Sequence, residues 1–147
     1  ILDNILKNDT KIVKELAYSL GTQAIIGCLT LGIKDNKLQL FDYVKKKYGE
    51  INKKIIEIVD NKIISELLIV DFQNEGTPDS FNKELINQLP FKDPSLILFG
   101  GLSKAKNINK YFSNKNVKAI SIGNFLNYTE DSIFIFKKLI NEQYIRI

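Results

Sequence analysis

The chain contains no histidine, no methionine and no tryptophan, and it has one cysteine in 147 residues. Without histidine there are no Ser-His or Cys-His nucleophilic pairs and no histidine-containing zinc sites, so acid–base chemistry must use carboxylates, Lys, Tyr or Cys. The single thiol, Cys28, cannot form an internal disulfide, which favours a reducing compartment. It lies in the apolar run AIIGCLTL, residues 24–31, so we expect a buried, inert side chain. The sequence predicts neither a metal site nor a bound cofactor.

Long apolar runs and strong charge are also missing. No run approaches the ~18 apolar residues of a transmembrane helix, and the N-terminus lacks the basic and small-residue regions of a signal peptide. The net charge is +4, and the lysine clusters at 45–47 and 53–54 have no interleaved aromatic residues, which disfavours nucleic-acid binding. We therefore expect a cytoplasmic protein with no membrane or nucleic-acid partner. Because methionine is absent, we also expect a processed chain or part of a longer protein.

Apolar runs alternate with helical patterns along the whole chain, which is typical of one α/β domain with a parallel sheet. A first helix over 10–20 precedes four strand–helix units, and residues 37–51 form an excursion that is a candidate hairpin. The predicted strands are 23–33, 66–72, 95–99 and 117–123, and the predicted helices after them are 52–64, 81–89, 104–112 and 132–143. Periodicity leaves two architectures open: a doubly wound sheet or part of a (βα)8 barrel.

In both architectures ligands bind at the carboxyl ends of the strands. Gly100-Gly101 follows the third strand, with Ser103 before the next helix, and Gly123-Asn124 follows the fourth. Glycine allows close approach and positive φ, and a helix N-terminus presents free N–H groups that suit a phosphate. These residues are therefore candidate phosphate ligands, although tight turns alone would also explain the glycines.

Two carboxylates occupy positions of interest at opposite ends of the predicted sheet. Glu75 lies in the loop after the second strand, beside Gly76 and Thr77, where it is a candidate acid–base or hydroxyl-binding group. Glu66 is the first residue of the same predicted strand, at the opposite, N-terminal end. On position alone, the ordinary interpretation of both is a solvated surface carboxylate.

Four blocks carry a family resemblance: LGTQAIIGCLTL (20–31), ELLIVDFQNEGT (66–77), LILFGG (96–101) and AISIGNFLNYTEDSIFIFKKLI (119–140). In this order the chain resembles the cyclase subunit of imidazole glycerol phosphate synthase. It resembles more closely the paralogues in bacterial surface-sugar gene clusters that are associated with acetamidino modification of glycans. The resemblance implies that residues 1–147 form the C-terminal half of a (βα)8 barrel, strands five to eight. Residues 1–5 would then match the end of strand four.

In that family, ammonia from a glutaminase subunit enters at the N-terminal mouth and reacts with a phosphorylated substrate at the other end. The resemblance implies phosphate binding at Gly101, Gly123 and Asn124, and a substrate loop at 75–77. Glu66 would match a charged gate residue at the ammonia entrance, and Gln23 lies in the matching segment. A half-barrel would also need another barrel half or a homo-oligomer.

Several positions depart from the family pattern. Thr30 stands where the family has a catalytic aspartate, and Phe99 and Val70 replace hydroxyl residues. Our leading hypothesis is therefore a divergent paralogue that binds a phosphorylated ligand and works with a glutaminase in sugar amidation. Two alternatives remain: an active cyclase (lyase) of histidine biosynthesis, and a non-catalytic phosphate-ligand-binding or assembly subunit.

Overall fold

The chain folds as a mixed α/β domain around a six-stranded sheet. The structure is a computed structural model that describes residues 1, 3–123, 126 and 132–145. Its α-helices are α1 Asn4–Asn8, α2 Thr10–Leu20, α3 Lys53–Asp60, α4 Glu84–Asn87, α5 Ala105–Phe112 and α6 Ser132–Leu139. Its strands are β1 Ile26–Lys34, β2 Lys37–Asp42, β3 Lys47–Gly49, β4 Glu66–Asp71, β5 Leu96–Phe99 and β6 Val117–Ile120.

The strand order across the sheet is β3-β2-β1-β4-β5-β6. Strands β1, β4, β5 and β6 pair in parallel, and β2 and β3 form an antiparallel hairpin that continues from β1. The four parallel strands follow chain order, so the described part of the sheet has none of the order reversals that mark a doubly wound fold. The predicted α/β class with a mostly parallel sheet is confirmed.

Most predicted elements are present, with differences at their ends. The hairpin within 37–51 is confirmed, and a two-residue turn at Asp35 and Asn36, both with positive φ, joins β1 to β2. Two predictions were wrong in detail. Helix α4 is shorter than the predicted 81–89, because its predicted first residues belong to the loop that Asp71 organises. The resemblance placed the end of a strand at residues 1–5, but helix α1 already begins at Asn4.

The two faces of the parallel sheet differ. On one face, alternate side chains are fully buried, such as Leu67 and Ile69 on β4 and Leu96 and Leu98 on β5. They share a single core with residues of α2, α3, α4 and α5. On the opposite face, Cys28 and Thr30 of β1 are buried. The side chains of β4, β5 and β6 on that face remain partly exposed, namely Leu68, Val70, Ile97, Phe99 and Ala119. We call this second surface the open face.

Over the described ranges, no helix is both long and apolar enough to cross a bilayer. The same ranges hold no group of three or more His, Cys, Asp or Glu side chains arranged to bind a metal ion.

Candidate functional site

The loop that follows β4 is organised by a buried carboxylate, Asp71. This side chain is fully buried at the end of β4. Its Oδ2 accepts hydrogen bonds from the Asn82 N–H at 2.8 Å and from Asn74 Nδ2 at 2.8 Å, and its Oδ1 accepts one from the Asn74 N–H at 3.3 Å. Because a buried carboxylate is stable only when its oxygens are bonded, these contacts tie both ends of the 72–82 loop to the strand.

The two glycines after β5 pack against that loop. Gly100 and Gly101 have φ angles of 102° and 68°, in the region that favours glycine. A Cβ on Gly101 would lie 2.6 Å from Ser80 Oγ and 2.8 Å from the Phe81 nitrogen. The Gly101 carbonyl also accepts a 2.8 Å hydrogen bond from the Ser80 N–H. The glycines are therefore required by close contact with the protein's own main chain.

Three strand-end loops surround one pocket of about 300 Å³, which we call the glycine pocket. Its lining consists of residues 75–78 after β4, residues 99–103 after β5, and Ser121 and Gly123 after β6. The predicted residues Glu75, Gly76, Thr77, Gly100, Gly101, Ser103 and Gly123 thus lie around a single cavity, although they come from three separate segments of the sequence. Asn124 lies outside the described residues.

Ser103 lines the glycine pocket. The residue as a whole is only 5 % exposed, and its hydroxyl makes no hydrogen bond to any residue that the structure describes. Within the same described ranges, the N–H groups of Gly101, Leu102 and Ser103 also donate no hydrogen bond. An anion bound in this pocket would therefore meet hydrogen-bond donors that have no acceptor within the described part of the protein.

The start of α5 lies beside the glycine pocket and carries a charged network. Asp79 accepts a 2.6 Å hydrogen bond from Asn107 Nδ2, and Lys104 Nζ lies 3.4 Å from its other oxygen. The hydrogen bond from Asn107, followed by the contacts from Lys104, lowers the pKa of Asp79. Lys104 is the N-cap residue of α5, its side chain is 70 % exposed, and its charge is paired with the Asp79 carboxylate.

A second pocket of about 400 Å³ adjoins the first, and Glu75 lines both. We call it the carboxylate pocket; its lining is Asp3, Cys28, Thr30, Phe41, Tyr43, Val70, Phe72 and Glu75. Thr30 is 7 % exposed, and its hydroxyl makes no hydrogen bond to any described residue. Thr30 and Ser103 thus each bring a hydroxyl to one of two neighbouring cavities.

The sequence did not point to Asp3, Lys7 or Tyr43 as members of this pocket region. Tyr43 donates a 2.6 Å hydrogen bond to Asp3 Oδ2, and this bond is the main cause of the raised pKa of Tyr43. Asp3 Oδ1 lies 2.8 Å from Lys7 Nζ, whose side chain is 4 % exposed. Asp3 and Tyr43 are 40 residues apart, and neither belongs to a recognisable motif, so no sequence signal indicates their contact.

The residues predicted at the ammonia entrance lie at the other end of the sheet. Gln23 is exposed in a short 3-10 helix, Thr22–Ala24, immediately before β1. Glu66 is the first residue of β4 and pairs in register with Ile26. It alternates with Leu68 and Val70 along the open face, so Glu66 and the carboxylate pocket mark the two ends of one face.

No protein-family model matches this chain, and no curated protein matches it either.

Proposed function

We propose that this chain is a divergent relative of the cyclase subunit of imidazole glycerol phosphate synthase, built as the C-terminal half of a (βα)8 barrel. In this proposal it binds a phosphorylated small molecule and receives glutamine-derived ammonia from a glutaminase partner, in the amidation of a sugar. Four parallel strands in chain order, with α2, α3, α4 and α5 packed on the buried face of the sheet, support the half-barrel. In a closed barrel the open face would line the axis.

The phosphate site of the proposal rests chiefly on Ser103. A phosphoryl group in the glycine pocket would accept from the Ser103 hydroxyl and from the unbonded N–H groups of residues 101–103. Charge-assisted hydrogen bonds of this kind are about twice as strong as neutral ones. The N-terminus of α5 and the exposed Lys104 would add favourable electrostatics for an anion.

The ammonia part of the proposal rests on the two ends of the open face. Glu66 and Gln23 lie at the N-terminal end of the sheet, and the candidate ligand pockets lie at the C-terminal end. Apolar side chains such as Leu68 and Ile97 occupy the face between them. An apolar path between a polar entrance and a ligand pocket would suit a small neutral molecule such as ammonia.

Phosphate binding is tested by titrating the chain with inorganic phosphate in a calorimeter. We expect Ser103→Ala to weaken binding about tenfold, because one hydrogen bond to a charged group contributes about 1.5 kcal/mol or more. Ser19→Ala, an exposed serine on α2, serves as the matched control and should leave binding unchanged. If the affinity for phosphate is the same in both variants and in the parent chain, the proposed phosphate site is wrong.

The glutaminase partnership is tested by mixing the protein with a glutaminase subunit of the resembled family and following glutamine hydrolysis. We expect the protein to stimulate glutamine hydrolysis and to form a complex with the glutaminase on gel filtration. We also expect Glu66→Leu to reduce the transfer of ammonia. If hydrolysis is not stimulated and no complex forms, this part of the proposal is wrong.

A second candidate function is the cyclase (lyase) reaction of histidine biosynthesis. Thr30 cannot act as a carboxylate acid–base group near neutral pH, but Asp3 and Glu75 supply two carboxylates to the same pocket. Growth of a histidine auxotroph that lacks its own cyclase, when it carries this gene, would support this candidate. Absence of growth with detectable expressed protein would reject it.

A further inference from the structure

Helix α6 is a mostly apolar helix that the rest of the domain leaves uncovered. None of its residues is buried. Four of its apolar side chains are more than half exposed: Ile133, Phe134, Ile135 and Leu139. Phe134 is the most exposed of them, at 73 %. A contiguous apolar surface of this kind marks a site of contact with another protein or with a membrane.

The C-terminal end of α6 is fixed to α5. Asn109 Nδ2 donates a 3.3 Å hydrogen bond to the Leu139 carbonyl, and Asn109 Oδ1 accepts one of 3.3 Å from the Asn141 N–H. Beyond the helix, the rings of Phe112 and Tyr144 stack with their centroids 4.6 Å apart. The exposed apolar side chains therefore belong to a helix that the domain holds in a defined position.

Lysines stand among the exposed apolar side chains of α6. Side chains three and four positions apart are neighbours on a helix. Lys137 therefore lies beside Ile133 and Phe134. Lys138 lies beside Phe134 and Ile135, and both lysines are exposed. We call these five residues the α6 strip.

The charge around the α6 strip is positive. Helices α5 and α6 together carry no carboxylate and four exposed lysines, Lys106, Lys110, Lys137 and Lys138. Lys106 also lines the groove between the two helices, so it stands on the side of α5 that faces α6. Glu142 is the one carboxylate in the described residues after α6, and Glu130 and Asp131 before it lie outside the described residues. The complementary partner is therefore an anionic surface.

An anionic lipid surface fits this combination better than a protein does. Protein interfaces are depleted in lysine, whereas both lysines of the strip lie directly among its apolar side chains. Helices that lie in a membrane interface combine Phe and Leu side chains with lysines. The long lysine stems can follow the apolar surface while their ammonium groups reach the lipid phosphates.

We propose that the α6 strip docks the protein on an anionic lipid bilayer, with Phe134 inserted at the acyl boundary and Lys137 and Lys138 on the lipid phosphates. This interaction is independent of the proposed function, since no residue of the strip lines the glycine pocket or the carboxylate pocket. The expectation of no membrane partner came from the lack of a spanning segment, which a helix that lies on a bilayer does not need.

Insertion of Phe134 is tested by fluorescence. The chain has no tryptophan, so Phe134→Trp places a single reporter in the strip. We expect its emission to move to shorter wavelength with vesicles of phosphatidylcholine and phosphatidylglycerol, and to move little with vesicles of phosphatidylcholine alone. Tyr18→Trp, at an exposed site on α2, is the matched control and should not respond to either.

Two outcomes of the fluorescence test would overturn the proposal. One is an emission of Phe134→Trp that anionic vesicles leave unchanged. The other is a shift that appears without vesicles as the protein concentration rises, because a second copy of the chain would then cover the strip.

Co-sedimentation with the same anionic vesicles separates the contributions of the strip. Phe134→Ser should weaken binding about tenfold or more, because it removes a buried aromatic ring. Lys137→Gln combined with Lys138→Gln should weaken binding roughly 20-fold, since each lysine near an anionic surface contributes about fivefold. Lys53→Gln combined with Lys54→Gln, two adjacent exposed lysines on α3, should leave binding unchanged. An equal loss in the two double variants would show that binding follows net charge alone, and the assignment to the α6 strip would be wrong.

Discussion

Gly100 lies directly against the main chain of Asp71. A Cβ built on Gly100 would stand 2.6 Å from the Asp71 carbonyl oxygen and 3.2 Å from the Asp71 nitrogen. The residue also has a φ of 102°. The carboxyl ends of β4 and β5 are therefore held together by a main-chain contact that only glycine permits, and two of the three loops of the glycine pocket start from this contact.

Gly100→Ala should destabilise the protein strongly. The added methyl group meets backbone that cannot move away, and the φ angle is unfavourable for alanine, so we expect a loss of about 2 kcal/mol or more in the free energy of unfolding. Urea denaturation measures this loss as a lower midpoint. Gly49→Ala is the matched control: its Cβ would have no neighbour within 4 Å, and we expect a change of less than ~0.5 kcal/mol. Equal midpoints for the two variants would contradict the close contact.

Asp71→Asn should loosen the 72–82 loop. The substitution keeps the size of the side chain but turns one acceptor into a donor that faces the N–H of Asn82 or the amide of Asn74. We expect a loss of about 2 kcal/mol in stability and faster hydrogen exchange at Asn82. Asp35→Asn, in the exposed turn after β1, should be nearly neutral because asparagine tolerates its positive φ. Undiminished protection of the Asn82 amide in Asp71→Asn would refute this role.

Cys28 should react slowly with alkylating reagents at moderately alkaline pH. Burial, followed by the Asp3 carboxylate, raises the pKa of the Cys28 thiol from 9.0 to about 11, and only the thiolate reacts. Because the pKa is higher in the folded chain, the neutral thiol makes its full contribution to the free energy of unfolding below pH 9. This contribution is lost as pH rises through about 11. Iodoacetamide labelling followed by mass spectrometry should therefore accelerate up to about pH 11 in the folded protein. In the urea-unfolded protein the labelling rate should stop rising near pH 9. If the labelling rate depends on pH in the same way in the folded and unfolded protein, the pKa of the Cys28 thiol is not raised by folding.

Gln73→Glu should weaken the attachment of the β4 loop to β1. The Gln73 side chain accepts a 2.8 Å hydrogen bond from the Ile33 N–H and donates one of 3.2 Å to the Ile33 carbonyl. A carboxylate cannot donate the second bond, so we expect a loss of about 1–2 kcal/mol at neutral pH. The loss should shrink as pH falls towards ~4, because a protonated carboxyl group donates again. Urea denaturation at several pH values measures the effect, and Gln143→Glu at an exposed site should show no such trend.

The helices and strands were predictable because their signals are local. The predicted first helix, 10–20, matches α2, which Asp9 and Gly21 cap in the structure. The apolar run of β1 predicted a strand, and Cys28 and Leu29, on its two faces, are both buried. The start of α4 was not predictable, because Asn82 just before it is bonded to Asp71 of a distant segment.

The candidate site was predictable only in part. The rule that ligands bind at the carboxyl ends of parallel strands correctly brought Glu75, Gly101 and Gly123 to one place. It could not reveal Asp3 and Tyr43, which reach the carboxylate pocket from outside the parallel strands. The requirement for glycine at position 100 was also not visible in the sequence, because a Cβ there would collide with the carbonyl oxygen of Asp71.

The sequence by itself determined the succession of helices and strands, the buried state of Cys28 and the position of each loop that follows a parallel strand. These follow from the spacing of apolar residues and from turn residues within a few positions of each other. Only the tertiary structure decided that the four strands follow chain order, that one face of β4, β5 and β6 stays partly exposed and that Thr30 and Ser103 line adjoining pockets. Each of these depends on contacts between residues tens of positions apart, and the free energy of such contacts is set by packing in three dimensions.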